Sequence, residues 1–230
     1  MTTLLIATRN AHKVGEIRAI LGPQFECLTL DDFPGAPAVV EDADTFAGNA
    51  AKKAVELARW LASSRLAMLE SRPFFVLADD SGLEVDALGG KPGVHSARFA
   101  ALDSGWAGNS SDADNCAKLL RLLERVPLEK RAARFRCAIA LTPAEARRPA
   151  NASPVCYADR FELETETIFE GACEGRIQFL PSGRGGFGYD PLFVPDGFTR
   201  SFAELGEDVK NRLSHRAKAL AKLKSFLTAA

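Results

Sequence analysis

At 230 residues, with 29 basic and 30 acidic side chains and a net charge of −1, the chain has no general electrostatic drive toward DNA, RNA or an anionic membrane. Hydrophobic residues at 47% and charged residues at 26% match a folded globular protein and exclude compositional disorder. The length, 1–230, fits one large domain or a compact two-lobed one, with room for a sizeable core and no linker that would split it into independent domains.

The apolar run Leu4 to Ala7 predicts a short buried strand, and Val14, Ile17 and Leu21 stripe a helix after it. The segment between, Thr8-Arg9-Asn10-Ala11-His12-Lys13, opens that helix. Unpaired backbone N–H groups and the dipole there favour an anion, and Lys13 adds a full charge. It lacks the P-loop pattern, and standing alone such a motif is more commonly an exposed lysine on a helix's first turn. The acidic run from Glu41 to Asp44 precedes a second helix, predicted over about Thr45 to Ala62, with Asn49 and Lys53 sharing one face.

The run Phe74 to Ala78 drives into Asp79-Asp80-Ser81-Gly82, which reads as a buried strand ending where open α/β sheets bind ligands. Alternation places the two carboxylates on opposite faces, one toward a ligand and one supporting the loop or a metal. A plain turn is the competing reading, since Asp, Ser and Gly are turn formers.

A tight loop follows at Gly89 to Gly93. Ser111 and Asp114 open a helix to about Val126. Period-two alternation predicts a strand pair at Arg134 to Thr142 and Phe161 to Phe169, separated by a loop or excursion from Pro143 to Asp159. Gly183 to Pro191 is a glycine-rich loop whose rings, Phe187 and Tyr189, could stack on a base, with Gly188 between them and Asp190 after. Ser201 and Glu204 form a capping box, and Ser214 caps a last helix striped by Ala217, Leu220, Leu223 and Leu227. Lys210, His215 and Arg216 gather near its start, where Arg216 could offer a planar fork to a carbonyl or phosphate. Helices alternating with strands, plus a paired ribbon, predict α/β with a mixed sheet.

Five cysteines, never in a C-x-x-C pair, and three scattered histidines argue against a disulfide framework or a zinc site. Glu41 with Asp79 or Asp80 would instead suit a hard cation, since Mg²⁺ takes few carboxylates plus waters and substrate phosphates. An acidic run before a helix is also an ordinary dipole complement. No apolar segment reaches the roughly 20 residues of a membrane helix, and Met1-Thr2-Thr3 leads into a strand rather than a charged signal region. The chain therefore reads as cytoplasmic, with no nucleic-acid or membrane partner.

Taken together, Thr8-x-Asn10-x-x-Lys13, Glu41 with Thr45-Phe46-x-x-Asn49-Ala50-x-x-Lys53-Ala54, and Ala78-Asp79-Asp80-Ser81-Gly82-Leu83 resemble the inosine triphosphate pyrophosphatase family. The resemblance continues through Gly89-Gly90-x-Pro92-Gly93-x-x-Ser96-Ala97-Arg98, Gly186 to Phe193 and Lys210-Asn211-x-x-Ser214-His215-Arg216, in family order along nearly the whole chain. It implies an elongated α/β fold of two lobes, with a long mixed sheet flanked by helices and a nucleotide cleft between the lobes. It also implies a homodimer and Mg²⁺-dependent release of pyrophosphate from the non-standard purine nucleotides ITP, dITP and XTP.

Carried over, Asp80 is the proton acceptor and a metal ligand, and Glu41 a second metal carboxylate. Thr8, Arg9, Asn10, Ala11, His12, Lys13, Lys53, Ser81, Phe187, Gly188, Tyr189, Asp190, Lys210, His215 and Arg216 are substrate contacts. Arg216 is expected to donate to the 6-oxo group of the base. Arg9 and His12 depart from the small residues common in relatives and could add a phosphate contact or narrow the entrance. His95 and Phe99 stand where tyrosines are common. Insertions at Ser63 to Arg72 and Pro143 to Asp159 exceed the family core. The competing functions are a pyrophosphatase of modified pyrimidine or standard nucleotides, and a nucleotide-binding sensor without turnover.

Overall fold

The computed structural model describes residues 1–64, 73–103, 105, 108–144 and 166–229. Most of the two expected insertions, and the first part of the strand expected over Phe161 to Phe169, lie outside the described residues.

A mixed six-stranded sheet, order β2-β1-β3-β4-β5-β6, forms the frame. The central parallel strand β1 (Thr3–Ile6) lies between β2 (Glu26–Thr29) and β3 (Phe74–Val85). From β3 the sheet runs antiparallel through β4 (Ala132–Pro143), β5 (Thr167–Ile177) and the short β6 (Phe193–Pro195). Helices α1 (Ala11–Leu21) and α6 (His215–Ala229) cover one face, and α2 (Phe46–Ser63) covers the other. Helices α3 (Asp112–Leu122), α4 (Phe202–Leu205) and α5 (Glu207–Leu213) complete the described elements of this class.

Strand β1 is buried throughout, which explains its unbroken apolar run: a strand covered on both faces has no solvent side to alternate toward. Alternation on β3 divides the packing. Val76 and Ala78 join Leu5, Ala138 and Ala140 beneath α2, while Leu77 joins Leu4, Ile6 and Ile139 beneath α1 and α6. A third core lies further along the ribbon, where Leu83, Val85 and Phe135 meet Leu119 of α3 and Phe202 of α4. The long β3–β4 pair thus links two packed ends, and the cleft opens between them.

The first correction concerns β3. It does not end at Asp80 but continues to Val85, with Asp79 opposite Ile139 and Asp80 opposite Ala138 on β4. The two carboxylates are neither a strand end nor a turn. They sit in mid-sheet because each finds polar partners that offset its burial.

The second concerns the ribbon. The expected Phe161 to Phe169 strand overlaps only the start of β5, which extends to Ile177 through Glu170-Gly171-Ala172-Cys173-Glu174-Gly175. Glycines hid that extension, since they weaken the strand signal and mark close backbone approach. A Cβ on Gly171 would collide with the His215 carbonyl oxygen and the Ala219 nitrogen of α6. Helix α3 stops at Leu122 rather than near Val126, where buried Arg131 takes the carbonyl oxygens of Leu123 and Val126. Strand β2, partly buried along its length, carried no sequence signal. The capping box at Ser201 and Glu204 forms as expected, and Ser214 Oγ accepts from the Ala217 N–H at the start of α6.

Candidate active site

Asp80 faces the α2 side of the sheet and is 6% exposed. Its Oδ2 accepts from Asn49 Nδ2 at 3.0 Å, and its Oδ1 from the Ser81 N–H at 3.1 Å. Burial raises its pKa above the ordinary aspartate value, although the nearby charges of Lys53 and Lys13 pull it down. This is the electrostatic setting of a proton acceptor rather than of a tightly paired structural ion. Lys53, four residues from Asn49 on α2, directs Nζ to the Asp79 carbonyl oxygen at 2.8 Å and to Glu41 Oε1 at 2.9 Å. Glu41, from the loop before α2, thereby shares a wall of the cleft with Asp80.

Asp79 faces the opposite side and is 1% exposed. Arg216 Nε reaches its Oδ2 at 3.0 Å, and Lys13 Nζ lies 2.5 Å from its Oδ1. Cys137 Sγ and Ser81 Oγ also donate to it, at 3.1 and 3.0 Å. Burial works to raise this carboxyl, but the Arg216 and Lys13 charges outweigh it and hold the pKa well below the carboxylate range. Asp79 thereby anchors two cations that line the cleft.

The same anchoring holds Arg216 in place. Besides Asp79, the guanidinium binds Glu16 through Nη1, and Nη2 donates to Ser81 Oγ at 2.8 Å. Four of its five N–H donors are engaged inside the protein, and the side chain is 1% exposed. The fork lines the cleft with one N–H left uncommitted among the described residues. Lys13 is similarly less free than expected. The N-terminus of α1 is partly self-capped, since Asn10 Oδ1 accepts from the His12 and Lys13 N–H groups.

Glu16 holds a second cation, Lys210, at 2.7 Å, and Lys210 Nζ also lies 2.5 Å from Asp190 Oδ2. The same Asp190 oxygen accepts the Phe187 N–H at 2.9 Å, so α1, α5 and the glycine-rich loop meet at one carboxylate–ammonium junction. Phe187 lies beneath Lys210 Nζ, 4.3 Å from the ring centroid. Gly188 N–H donates to Asp112 Oδ2 at 2.7 Å. Tyr189 departs from the expected stacking role: it is a core ring, 3% exposed, with its hydroxyl donating to the Ser96 carbonyl at 2.9 Å. His215 stacks on Phe135 with centroids 4.9 Å apart. Burial, then the charges of Arg216 and Lys210, push its pKa well below the usual imidazole value, so it is neutral near pH 7, with Nδ1 buried and unpartnered among the described residues.

A cleft of 650 Å³ collects Thr8, Arg9, Asn10, Lys13, Glu41, Lys53, Asp80, Ser81, Phe187, Gly188, Tyr189, Asp190, Lys210, His215 and Arg216 along its walls. Ala11 and His12 line an adjoining cavity of 200 Å³ instead. Four residues of the network escaped sequence reading: Glu16, Asn49 as the Asp80 partner, Cys137 and Asp112. Glu16 had a usable signal, three residues beyond Lys13 on one helix face. Cys137 had none, because only the register that sets Asp79 opposite Ile139 brings it diagonally across.

A family model described as Ham1 family matches residues 4–226. The chain belongs to the Ham1 family. Among curated Ham1-type relatives, the dITP/XTP pyrophosphatase of Shouchella clausii is 43% identical over 99% of this chain and 97% of its own length. That of Geobacter sulfurreducens is 46% identical over the same shares. Of solved structures, a HAM1 protein from Coxiella burnetii aligns with TM-score 0.75 at 32% identity, covering 100% of both chains. The dITP/XTP pyrophosphatase of Mycobacterium abscessus aligns with TM-score 0.66 at 37% identity, covering 96% of this chain and 98% of that one. Membership in the Ham1 family agrees with the mixed, open sheet flanked by helices. Among the described residues, no group of three or more His, Cys, Asp or Glu side chains forms a metal cage, and no helix is long and apolar enough to cross a membrane.

Proposed function

We propose that this chain hydrolyses non-standard purine nucleoside triphosphates, namely ITP, dITP and XTP, to the monophosphate and pyrophosphate, clearing them from the nucleotide pool. One observation carries the reading: a desolvated carboxylate, Asp80, stands on the wall of a cleft where the cations Arg9, Lys13, Lys53, Arg98, Lys210 and Arg216 outnumber the carboxylates Glu41, Asp80, Asp112 and Asp190. A polyanion fits such walls, and a raised-pKa carboxylate suits removal of a proton from attacking water.

In this mechanism Asp80 accepts the proton of a water attacking the α-phosphorus, and pyrophosphate departs. Lys13 and Lys53 counter the charge that develops on the phosphate oxygens, which is where phosphoryl-transfer enzymes obtain most of their acceleration. Asn49 holds Asp80 by one oxygen, so the carboxylate is oriented before the substrate arrives. Asp80 and Glu41 offer hard oxygen donors on the same cleft, a sparse set that suits Mg²⁺ completed by substrate phosphates; when bound, that ion would withdraw charge from those phosphates. Lys53 sits against Glu41, so the carboxylate is already turned into the cleft.

At the base end, Phe187 is the stacking ring, and Arg216, through the N–H not engaged with Asp79, Glu16 or Ser81, together with neutral His215 would hydrogen-bond the purine edge. The remaining contacts assigned to Thr8, Arg9, Asn10, Ala11, Ser81, Gly188 and Asp190 rest on family resemblance together with their position at the cleft. Tyr189 supports the loop from the core. A homodimer and a cytoplasmic location complete the reading. Free Cys27, Cys116, Cys137 and Cys173 suit a reducing compartment, and light scattering of the purified chain tests the dimer.

Pyrophosphate release from ITP, XTP, GTP and ATP, each with and without Mg²⁺, tests reaction, metal and selectivity together. The expected outcome is Mg²⁺-dependent release from ITP and XTP exceeding that from ATP and GTP by at least about tenfold. Equal turnover of all four, or tight binding with no pyrophosphate, would discard the reading.

A further inference from the structure

The imidazole of His12 stacks on the Phe187 ring with centroids 5.2 Å apart and planes 12° from parallel. This contact crosses between the first turn of α1 and the glycine-rich loop, joining elements that belong to different packed ends of the molecule. His12 is exposed, and among the described residues its ring makes no hydrogen bond or ion pair. The stack is therefore the ring's whole engagement.

Phe187 occupies a particular place. It lines both the 650 Å³ cleft and the 200 Å³ cavity, as does Lys210, whereas His12 lines the smaller cavity only. The Phe187 ring is thus part of the partition between the two spaces. Its backbone N–H is pinned to Asp190, and it is flanked by Gly186 and Gly188 at φ +73° and +61°. Those left-handed positions shape a loop that presents the ring outward while the main chain stays fixed.

Resting on the nucleotide reading above, we propose that His12 is a purine-stacking residue. The base enters between the imidazole and the phenyl ring, turning the His12–Phe187 pair into a three-ring stack. Ring planes pack at about 3.5 Å, so admitting a base between the two rings needs their planes to part by about one further ring spacing, about 3.5 Å. His12, exposed on a helix's first turn and held by nothing else, is the ring free to make that movement. Parting the rings also places the base against the partition, with the phosphates directed along the cleft toward Asp80.

The test compares the wild type with His12→Ala and His12→Phe, using IMP and inorganic tripolyphosphate as separate probes of base and phosphate binding. His12→Ala is expected to weaken IMP binding about three- to tenfold, the range of an aromatic pair. His12→Phe is expected to restore it to within about twofold, and tripolyphosphate affinity should stay within about twofold in both variants. In turnover of ITP, the alanine variant should raise KM by the same factor with kcat unchanged. Unchanged IMP affinity in His12→Ala overturns the proposal, as does a loss of tripolyphosphate affinity shared by both variants, which would make His12 a phosphate contact. A wild type that binds IMP in the predicted pattern yet releases no pyrophosphate would remove the functional reading and leave the stack standing. A wild type that binds no IMP overturns both.

Discussion

Asp79 and Asp80 are adjacent in sequence and opposite in chemistry. Asp79 shares its oxygens among Arg216, Lys13, Ser81 and Cys137, whereas Asp80 has Asn49 and a backbone N–H. The two should therefore fail differently. Asp80→Asn is expected to fold normally and lose turnover by about a hundredfold or more, the usual worth of a positioned general base. Asp79→Asn leaves Arg216 and Lys13 without their shared counter-charge and should cost about 3 to 5 kcal/mol, read as a lowered urea midpoint. If Asp80→Asn retained near-native activity, the base would have to be sought elsewhere.

Strand alternation was enough to separate the two carboxylates at the residue scale. It could not say that the partner of Asp79 would be Arg216, 137 positions away. A guanidinium looks free in sequence until the buried carboxylates around it are known.

At the scale of elements, α6 brings His215 and Arg216 to the cleft by packing its first turns directly on Gly171 of β5. Only hydrogen fits there. Gly171→Val should force that helix end outward, costing about 1 to 3 kcal/mol by overpacking and lowering turnover as the Arg216–Asp79 contact is displaced. Paired measurements of thermal midpoint and pyrophosphate release check this; loss of stability with normal kcat and KM would mean that the helix start does not position the site. The glycines of β5 also explain why the strand was misplaced in sequence. Period-two reading searches for side chains, whereas this strand uses their absence to admit a helix.

For the whole molecule, folding carries His215 from water into a cleft already rich in positive charge. Its folded pKa lies well below the ordinary value of about 6.5, so the unfolded chain binds a proton that the folded chain refuses. Stability from this residue is therefore complete above about pH 6.5 and declines as pH falls toward the folded value, by up to about 1.4 kcal/mol per unit. Urea midpoints of the wild type and His215→Gln at about pH 7.5 and pH 5.5 test the sign. The wild type should lose about 1 kcal/mol more than the variant on acidification, and parallel losses would refute the assignment.

The same scale marks what the sequence by itself determined: an α/β chain with a mixed sheet and the order of its main helices. Those features follow from local periodicity, caps and turn chemistry, which act over a few residues and are written where they operate. The tertiary structure alone decided that β3 runs through the two aspartates, that Glu16 bridges Lys210 and Arg216, and that His12 stacks on Phe187. Charges and rings acquire their roles from partners, and the partners of Lys13, Asp79, Asp190 and Arg216 lie on elements that only the folded sheet brings together. Burial then sets how strongly each pair interacts, because a carboxylate and a guanidinium screened in water become tightly coupled once the sheet excludes it.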